Sequence, residues 1–450
     1  MVKLAGIFRS IQPFSVLVLG DFMLDTYTTG RVRRISPEAP VPVLEVHSVE
    51  SRPGGAGNVV LNFAALGAKT IACGRLGRDG DGEHLSRLLS QEGIDSSGLI
   101  LEHHFRTPVK NRLIGDSQQL LRVDCESITP LQPAYEAEAI AFLERTIPQV
   151  NVVAISDYGK GFLTRPILAA AIEICRKANV PAIVDPKGID FSKYKGAHLI
   201  KPNLSEAYAA AKMPSSSSLD EVAAELLRIA QADRLLITRS EAGMSLYEKG
   251  QERADFPVRS REVKDVTGAG DTVLALICLG IANGLEIRAA VQLANIAAGI
   301  AIEQIGCAQI TLSEIARRLL EIDSDTKIFD ENHTYALRKV LQDRKYILLV
   351  LNGQQEMTGG LFRALFDLSN NPAELLVYIR GEEPSREFLH LLSSLKEVDF
   401  IILQTESLKH LCEAIHPAEI YTLENDCLVK IPQPKELLSS LLTNHTSAET

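Results

Sequence analysis

A layered α/β domain carrying a small antiparallel appendage, followed by a second and smaller α/β domain, is the architecture this sequence predicts. Three observations predict it. Short apolar runs alternate with longer stretches of helical periodicity over the first 320 residues, the pattern of strands buried on both faces of a mostly parallel sheet. Two stretches break that rhythm with apolar–polar alternation or extended character, the mark of half-solvated strands. A polar, charge-mixed segment over residues 321–344 then separates this pattern from a second α/β pattern over 345–440.

In chain order, Val16–Leu19, Val152–Ser156, Ala182–Asp185, His198–Lys201 and Leu235–Thr238 are short apolar runs expected as buried strands. Helical spacing covers Arg165–Lys177, Ser205–Lys212 and Leu219–Gln231. The appendage is expected over about 30–50, where Val41–Val49 alternates, and over 106–124, where two extended runs flank Gly115-Asp116. In the second domain, strands are expected at Tyr346–Leu351, Leu375–Ile379 and Phe400–Leu403, with helices near Leu361–Leu368, Arg386–Leu395 and Ser407–Ile415. The polar tail over 441–450 is expected to fray.

The 450 residues are 46% hydrophobic and 23% charged, enough for a sizeable core in two or three domains. A net charge of −10 argues against a basic nucleic-acid footprint. Seven cysteines without a CxxC pair form neither a disulfide framework nor a zinc signature. No apolar run reaches the roughly 18–20 residues that span a bilayer, and Val16–Leu19 is too short for a secretory core. A cytoplasmic protein is therefore expected.

The densest chemical signal is Asp265-Val-Thr-Gly-Ala-Gly-Asp-Thr272, before the apolar helix Val273–Ala282. Small residues at a helix start let backbone N–H groups converge on an anion, and the helix dipole adds positive potential. Asp271 beside such an anion suits a general base; the same residues also suit a plain glycine-rich helix entry. Gly54-Gly55-Ala-Gly-Asn58 opens another helical segment, Val59–Leu66, either as a close-approach loop whose Asn58 meets sugar hydroxyls or as a simple turn. Asp21 and Asp25 are expected on one turn after the first strand, at the sheet edge where α/β proteins bind ligands. Asn203 and Glu206, three apart, could share a helix face and hold hydrated magnesium, but taken singly they read first as a helix capping pair. Walker A, GxGxxG and GxSxG motifs are absent, and the ten histidines show no ligand spacing.

The order Asp25, GGxxN, NxxE and GAGD resembles the ribokinase-like (PfkB) family of sugar kinases. Within it, Gly20–Asp25, Arg34–Val43, Ser156-Asp-Tyr-Gly-Lys-Gly161, Asp185-Pro-Lys-Gly188, Asn203–Glu206, Thr238–Gly243 and Asp265–Thr272 are similar to the kinase half of bacterial bifunctional heptose 7-phosphate kinase/heptose 1-phosphate adenylyltransferases. The resemblance spans about residues 10–318. It implies a ribokinase-like three-layer α/β/α domain over 1–320 with the appendage as a β-lid. It also implies ATP- and magnesium-dependent phosphorylation of D-glycero-β-D-manno-heptose 7-phosphate at O1, leaving a monovalent-cation requirement open.

On this resemblance Asp271 is the general base, and the amides of Gly268, Ala269 and Gly270 stabilise the transferring phosphoryl group. Asp25, Gly54, Gly55 and Asn58 hold the sugar. Asn203 and Glu206 position magnesium and nucleotide, and Thr238, Gly243 and Asn295 line the nucleotide site. Lys110, Arg112, Lys160 and Lys187 are candidates for the sugar's phosphate, with Lys160 and Lys187 favoured near the sugar. A homodimer through the lid is implied as well.

The second domain resembles a Rossmann-like nucleotidyltransferase, but departs from it. The strand before Asn352-Gly353 is present, whereas the His-x-Gly-His loop that follows in the family is replaced by Gln354–Phe362, with Gly359 and Phe362 at the histidine positions. A degenerate transferase is expected, with a separate adenylyltransferase acting downstream. Two rivals stand beside this expectation: a kinase of another sugar, and a non-catalytic nucleotide-binding scaffold.

Overall fold

The computed structural model describes residues 11–116, 118–258, 263–304, 306–323, 328–329, 345–381, 384–403, 408, 411–412, 416–424 and 426–431. The described chain forms two compact units that divide between Thr311 and Leu312.

In the first unit, β1 (Ser15–Gly20) is the apolar run Val16–Leu19 with one residue added at each end, and it is buried almost throughout. It lies inside a nine-stranded sheet. Beside it run β4 (Lys69–Gly77) and β5 (Asp95–Glu102) on one side, and β8 (Val152–Ser156), β9 (Ala182–Asp185), β10 (Leu199–Ile200) and β11 (Arg234–Thr238) on the other, all parallel. The antiparallel β12 (Met244–Glu248) and β13 (Ala254–Phe256) close one edge.

Successive strand residues point to opposite faces. Leu17, Leu19, Val153, Ile155, Val184 and Ile237 pack in one core with apolar residues of α3 (Pro133–Thr146), α4 (Arg165–Ala178), α5 (Leu204–Ala211) and α6 (Leu219–Ala230). Against the central strands lie α1 (Ala56–Ala65) and α7 (Ala269–Ala282), and α8 (Ile287–Ala301) packs on α7 and on β12. A further helix, α2 (Gly80–Gln91), starts on Asp79, whose carboxylate accepts the Gly82 amide. This is the expected three-layer α/β/α arrangement.

The lid is a separate four-stranded sheet: β2 (Phe22–Ile35), β3 (Pro42–Gly55), β6 (Val109–Gly115) and β7 (Gln118–Cys125), in the order β3-β2-β6-β7. It was expected to be antiparallel. The structure corrects this, because β2 pairs antiparallel with β3 but parallel with β6. The reason is connectivity: β6 reaches β2 only after the crossover through α1, β4, α2 and β5. A second correction concerns Asp21 and Asp25, which do not share a turn. Asp21 joins β1 to β2, and Asp25 lies inside β2 opposite Arg52.

The second unit begins with α9 (Leu312–Asp323). It holds a six-stranded sheet of β14 (Ile328–Phe329), β15 (Tyr346–Asn352), β16 (Glu374–Arg380), β17 (Phe400–Leu403), β18 (Glu419–Glu424) and β19 (Cys427–Ile431), ordered β14-β17-β16-β15-β18-β19. Its strands are parallel except for the β18–β19 hairpin. Helices α10 (Gly359–Ser369) and α11 (Arg386–Ser394) bury Leu361, Leu365, Phe388 and Leu392 against it. Of the linker expected at 321–344, only the end of α9 and β14 are described. Of the helix expected at Ser407–Ile415, only Leu408, Leu411 and Cys412 are described, as helical; the tail at 441–450 lies outside the described residues.

Candidate active site

The carboxyl ends of β8, β9, β10 and β11 open onto a cavity of about 800 Å³, closed opposite by the first turn of α7 and by α8. Its helical wall begins at Gly268, which adopts φ 80° as the N-terminal cap of α7 and contributes no side-chain acceptor. The helix starts four residues earlier than its apolar stretch suggests, so Asp271 sits in the first helical turn rather than in a preceding loop. The N–H of Ala269 donates to Val266 O at 3.3 Å, whereas those of Gly268 and Gly270 find no acceptor among the described residues. Unpaired amides at a helix N-terminus attract anions. A Cβ on Gly270 would stand 3.5 Å from Lys201 Nζ, so the glycine keeps open a space bounded by helix amides and an ammonium group.

Asp271 is only 6% exposed. Asn58 Nδ2 donates to its Oδ2 at 2.6 Å, and the Tyr158 hydroxyl donates to its Oδ1 at 2.8 Å. Burial pushes its pKa above the ordinary aspartate value, opposed by those two donors and by Lys201. The carboxyl is thus a stronger base than a solvated one, yet is steadied in its ionised form. Asn58 is itself fixed in α1, where its carbonyl accepts Asn62 Nδ2, while Asn62 Oδ1 takes the Thr272 hydroxyl at 3.2 Å. A polar seam therefore joins α1 to α7 inside an apolar layer. Lys201, 3% exposed, pairs with Asp185 at 2.9 Å. Burial, partly offset by Lys201, pushes Asp185 up to about 6.

Several expected residues line this cavity: Lys187, Asn203, Glu206, Thr238, Gly243, Asn295 and Gly268 through Asp271. Asn203 and Glu206 form a reciprocal capping box on α5: Asn203 Oδ1 accepts the Glu206 amide, and Glu206 Oε2 accepts the Asn203 amide. Glu206 Oε1 also takes Lys187 Nζ at 2.9 Å. Thr238 bridges to Asn203. Gly243 holds φ 84° where a Cβ would overlap the Phe256 carbonyl, so only glycine fits this turn. Asn295 Nδ2 donates to Pro257 O at 2.8 Å, leaving its buried Oδ1 unpartnered beside the cavity.

The remaining expected residues sit on the lid side. Asp25 Oδ1 accepts Arg112 at 2.6 Å, and a side chain on Gly54 would overlap Asp25 Oδ2. Gly55 turns the chain from β3 into α1 at φ 58°. Lys160 pairs with Glu126 at 2.7 Å. The loop carrying Lys160 and Tyr158 is held by its peptide groups. The buried Asp21 carboxylate accepts the amides of Tyr158, Lys160 and Phe162, and fully buried Arg75 donates to the Lys160 and Thr129 carbonyls while pairing with Glu102. Tyr158, Lys201 and Asp185 were not singled out from the sequence. The first and last lie in motifs noted there, and Lys201 shows as a lysine ending an apolar strand.

The model of the pfkB family of carbohydrate kinases matches residues 14–314. The chain belongs to that family. This carbohydrate kinase is 44% identical over 327 residues to the bifunctional protein HldE of Trichlorobacter lovleyi, covering 72% of this chain and 67% of the relative. It is 37% identical to that of Desulfatibacillum aliphaticivorans, covering 89% of this chain and 86% of the relative. Among solved structures, phosphofructokinase-2 from Escherichia coli superposes with a TM-score of 0.57 at 19% identity, over 69% of this chain and all of that one. Arabidopsis thaliana ribokinase gives 0.55 at 17%, over 68% and 99%. At such identities these two establish the fold alone. No helix among the described residues is long and apolar enough to cross a membrane.

Proposed function

We propose that this kinase transfers the γ-phosphoryl group of ATP to O1 of D-glycero-β-D-manno-heptose 7-phosphate. The product, the 1,7-bisphosphate, lies on the route to ADP-heptose and the lipopolysaccharide core, within the cytoplasm. The support is one juxtaposition: a buried Asp271 carboxylate, steadied by Asn58 and Tyr158, beside unpaired α7 amides and Lys201, in a chain similar over most of its length to HldE proteins.

In this mechanism Asp271 draws the proton from the O1 hydroxyl as O1 attacks the γ-phosphorus and ADP departs. Such transfers need positioning and charge stabilisation more than covalent participation. The Gly268 and Gly270 amides and Lys201 face the transferring oxygens, and Asp25 and Asn58 orient the sugar. Thr238, Gly243 and Asn295 belong to the wall that takes the nucleoside.

Among the described residues no three of His, Cys, Asp or Glu converge on a metal position. Magnesium keeps most of its waters and uses one or two carboxylates with substrate phosphates, and Glu206 is one carboxylate on the cavity wall. With both side chains of the capping box engaged, Asn203 and Glu206 would hold the ion through water. The bound ion supplies neutralisation of phosphate charge.

The second unit is proposed to lack adenylyltransferase activity, leaving that step to a separate enzyme. Its loop Gly353–Phe362 carries no cationic side chain. At the start of α10 the Thr358 hydroxyl donates to the Asp426 carboxylate, which sets a negative charge where nucleotide phosphates would need positive ones. A homodimer through the lid is proposed on the exposed apolar side chains Val46, Val49, Leu121 and Val123 of its two edge strands.

ADP release from ATP and magnesium should appear with heptose 7-phosphate and not with ribose, fructose or fructose 6-phosphate, and phosphorus NMR should identify a 1,7-bisphosphate. Turnover with a different sugar would remove the heptose assignment.

A further inference from the structure

The first unit has a second cavity, of about 340 Å³, at the end of the sheet remote from Asp271. Its polar rim is Arg176 near the end of α4, His198 just before β10 and Asp233 just before β11. Parallel strands put their amino ends on one edge, so this opening lies across the sheet from the carboxyl ends that carry Asp185, Lys201 and Thr238. No residue assigned to the kinase reaction lines it. Its floor is apolar: buried Ile172 and Cys175 of α4, with Val180 and Pro181. The volume falls at the small end of the roughly 300–1,000 Å³ that ligand pockets occupy.

The rim holds charges of both signs, loosely matched. Arg176 Nε donates to Gly196 O at 2.6 Å, and at φ 86° a Cβ on Gly196 would stand 3.0 Å from that same Nε. The guanidinium is thus anchored by one edge. Its Nη2 reaches Asp233 Oδ1 only at 3.5 Å, and its Nη1 has no hydrogen-bond partner among the described residues. Asp233 Oδ2 lies 3.5 Å from His198 Nδ1. Both carboxylate oxygens therefore sit at the outer limit of hydrogen bonding. His198 adds no charge. Arg234 Nη1 can only donate, so His198 Nε2 accepts from it at 3.0 Å and the ring proton is on Nδ1. Burial and the Arg234 guanidinium lower the His198 pKa against the opposing pull of Asp233, and Arg234 is itself matched by Glu248 at 2.9 Å.

We infer that this cavity is a second ligand site, built for a small uncharged heterocycle that presents a carbonyl beside an N–H, as the edge of a nucleobase does. Arg176 donates to the carbonyl, Asp233 accepts from the N–H, and the apolar floor takes the ring. Charged ligands fit the rim poorly. A carboxylate turned to Arg176 would meet Asp233, and an ammonium turned to Asp233 would meet Arg176. An amide edge satisfies both at once. The site stands whether or not the acceptor of the kinase is a heptose.

The test titrates uracil into the full-length protein with isotope-labelled isoleucine and alanine methyl groups, and follows Ile172 and Ala182 by NMR. Benzoate and benzylamine, rings of opposite charge, are titrated alongside. Uracil should shift both methyls saturably. It should bind about 10–100-fold more weakly to Asp233→Ala and to Arg176→Met, the scale of one hydrogen bond to a charged group. Both side chains are more than half exposed, so neither change disturbs the core. Methyls that stay unmoved at millimolar uracil, or binding that both variants leave unchanged, would overturn the assignment. So would benzoate or benzylamine binding as tightly as uracil.

Discussion

The proposed chemistry concentrates in one side chain, Asp271. Its two oxygens each accept a hydrogen bond, from donors 213 and 113 residues away in sequence, so its basicity is a property of the folded molecule. Asp271→Asn should lower kcat by about 10²–10⁴ with little change in ATP affinity, measured by steady-state kinetics and nucleotide titration. The sign of its pH dependence follows from burial. A raised carboxyl pKa means that the working, ionised form is lost as pH falls through a value above 3.8. The acid limb of the wild-type kcat/KM profile should therefore lie above the ordinary aspartate range, and this limb should be absent from the residual activity of Asp271→Asn. The motif around Asp271 was legible because glycine, alanine and aspartate at a helix start carry a local signature. The roles of Tyr158 and Lys201 were not, since nothing local to Ser156–Gly161 or His198–Lys201 says that they face a residue in α7.

Among the elements, those with a strong period were readable nearly to the residue. Val152–Ser156 and Ala182–Asp185 match the strands, and α4 and α6 differ from their apolar spacing by one residue at an end. Helix α2 was not discerned: its sequence GDGEHLSRLLSQ buries only Gly82, Leu85 and Leu89, too few apolar positions to show a face. The parallel pairing of β2 with β6 was equally hidden, because alternation marks a strand but not its partner. The same ladder carries a prediction. Gly54 leaves room for the Asp25 carboxylate to reach Arg112, so Gly54→Ala should displace Asp25 and raise KM for the sugar about tenfold, with KM for ATP as the internal control.

At the scale of the whole molecule, every residue assigned to the kinase reaction lies within Ile11–Thr311. Truncation after about residue 325 should leave ADP release intact, and the full-length protein should release no pyrophosphate from ATP and heptose 1-phosphate. Pyrophosphate release would restore a catalytic role to the second unit.

The loop around Tyr158 and Lys160 has a consequence for how such a kinase could change its acceptor. Asp21 and Arg75 grip the peptide groups of residues 158, 160 and 162 rather than their side chains. The path of the backbone is therefore insured against substitution at positions 158 and 160. Tyr158 stays tied to Asp271 through its hydroxyl, so Lys160 is the side chain that selection, or an engineer, can exchange while the chain that presents it stays in place.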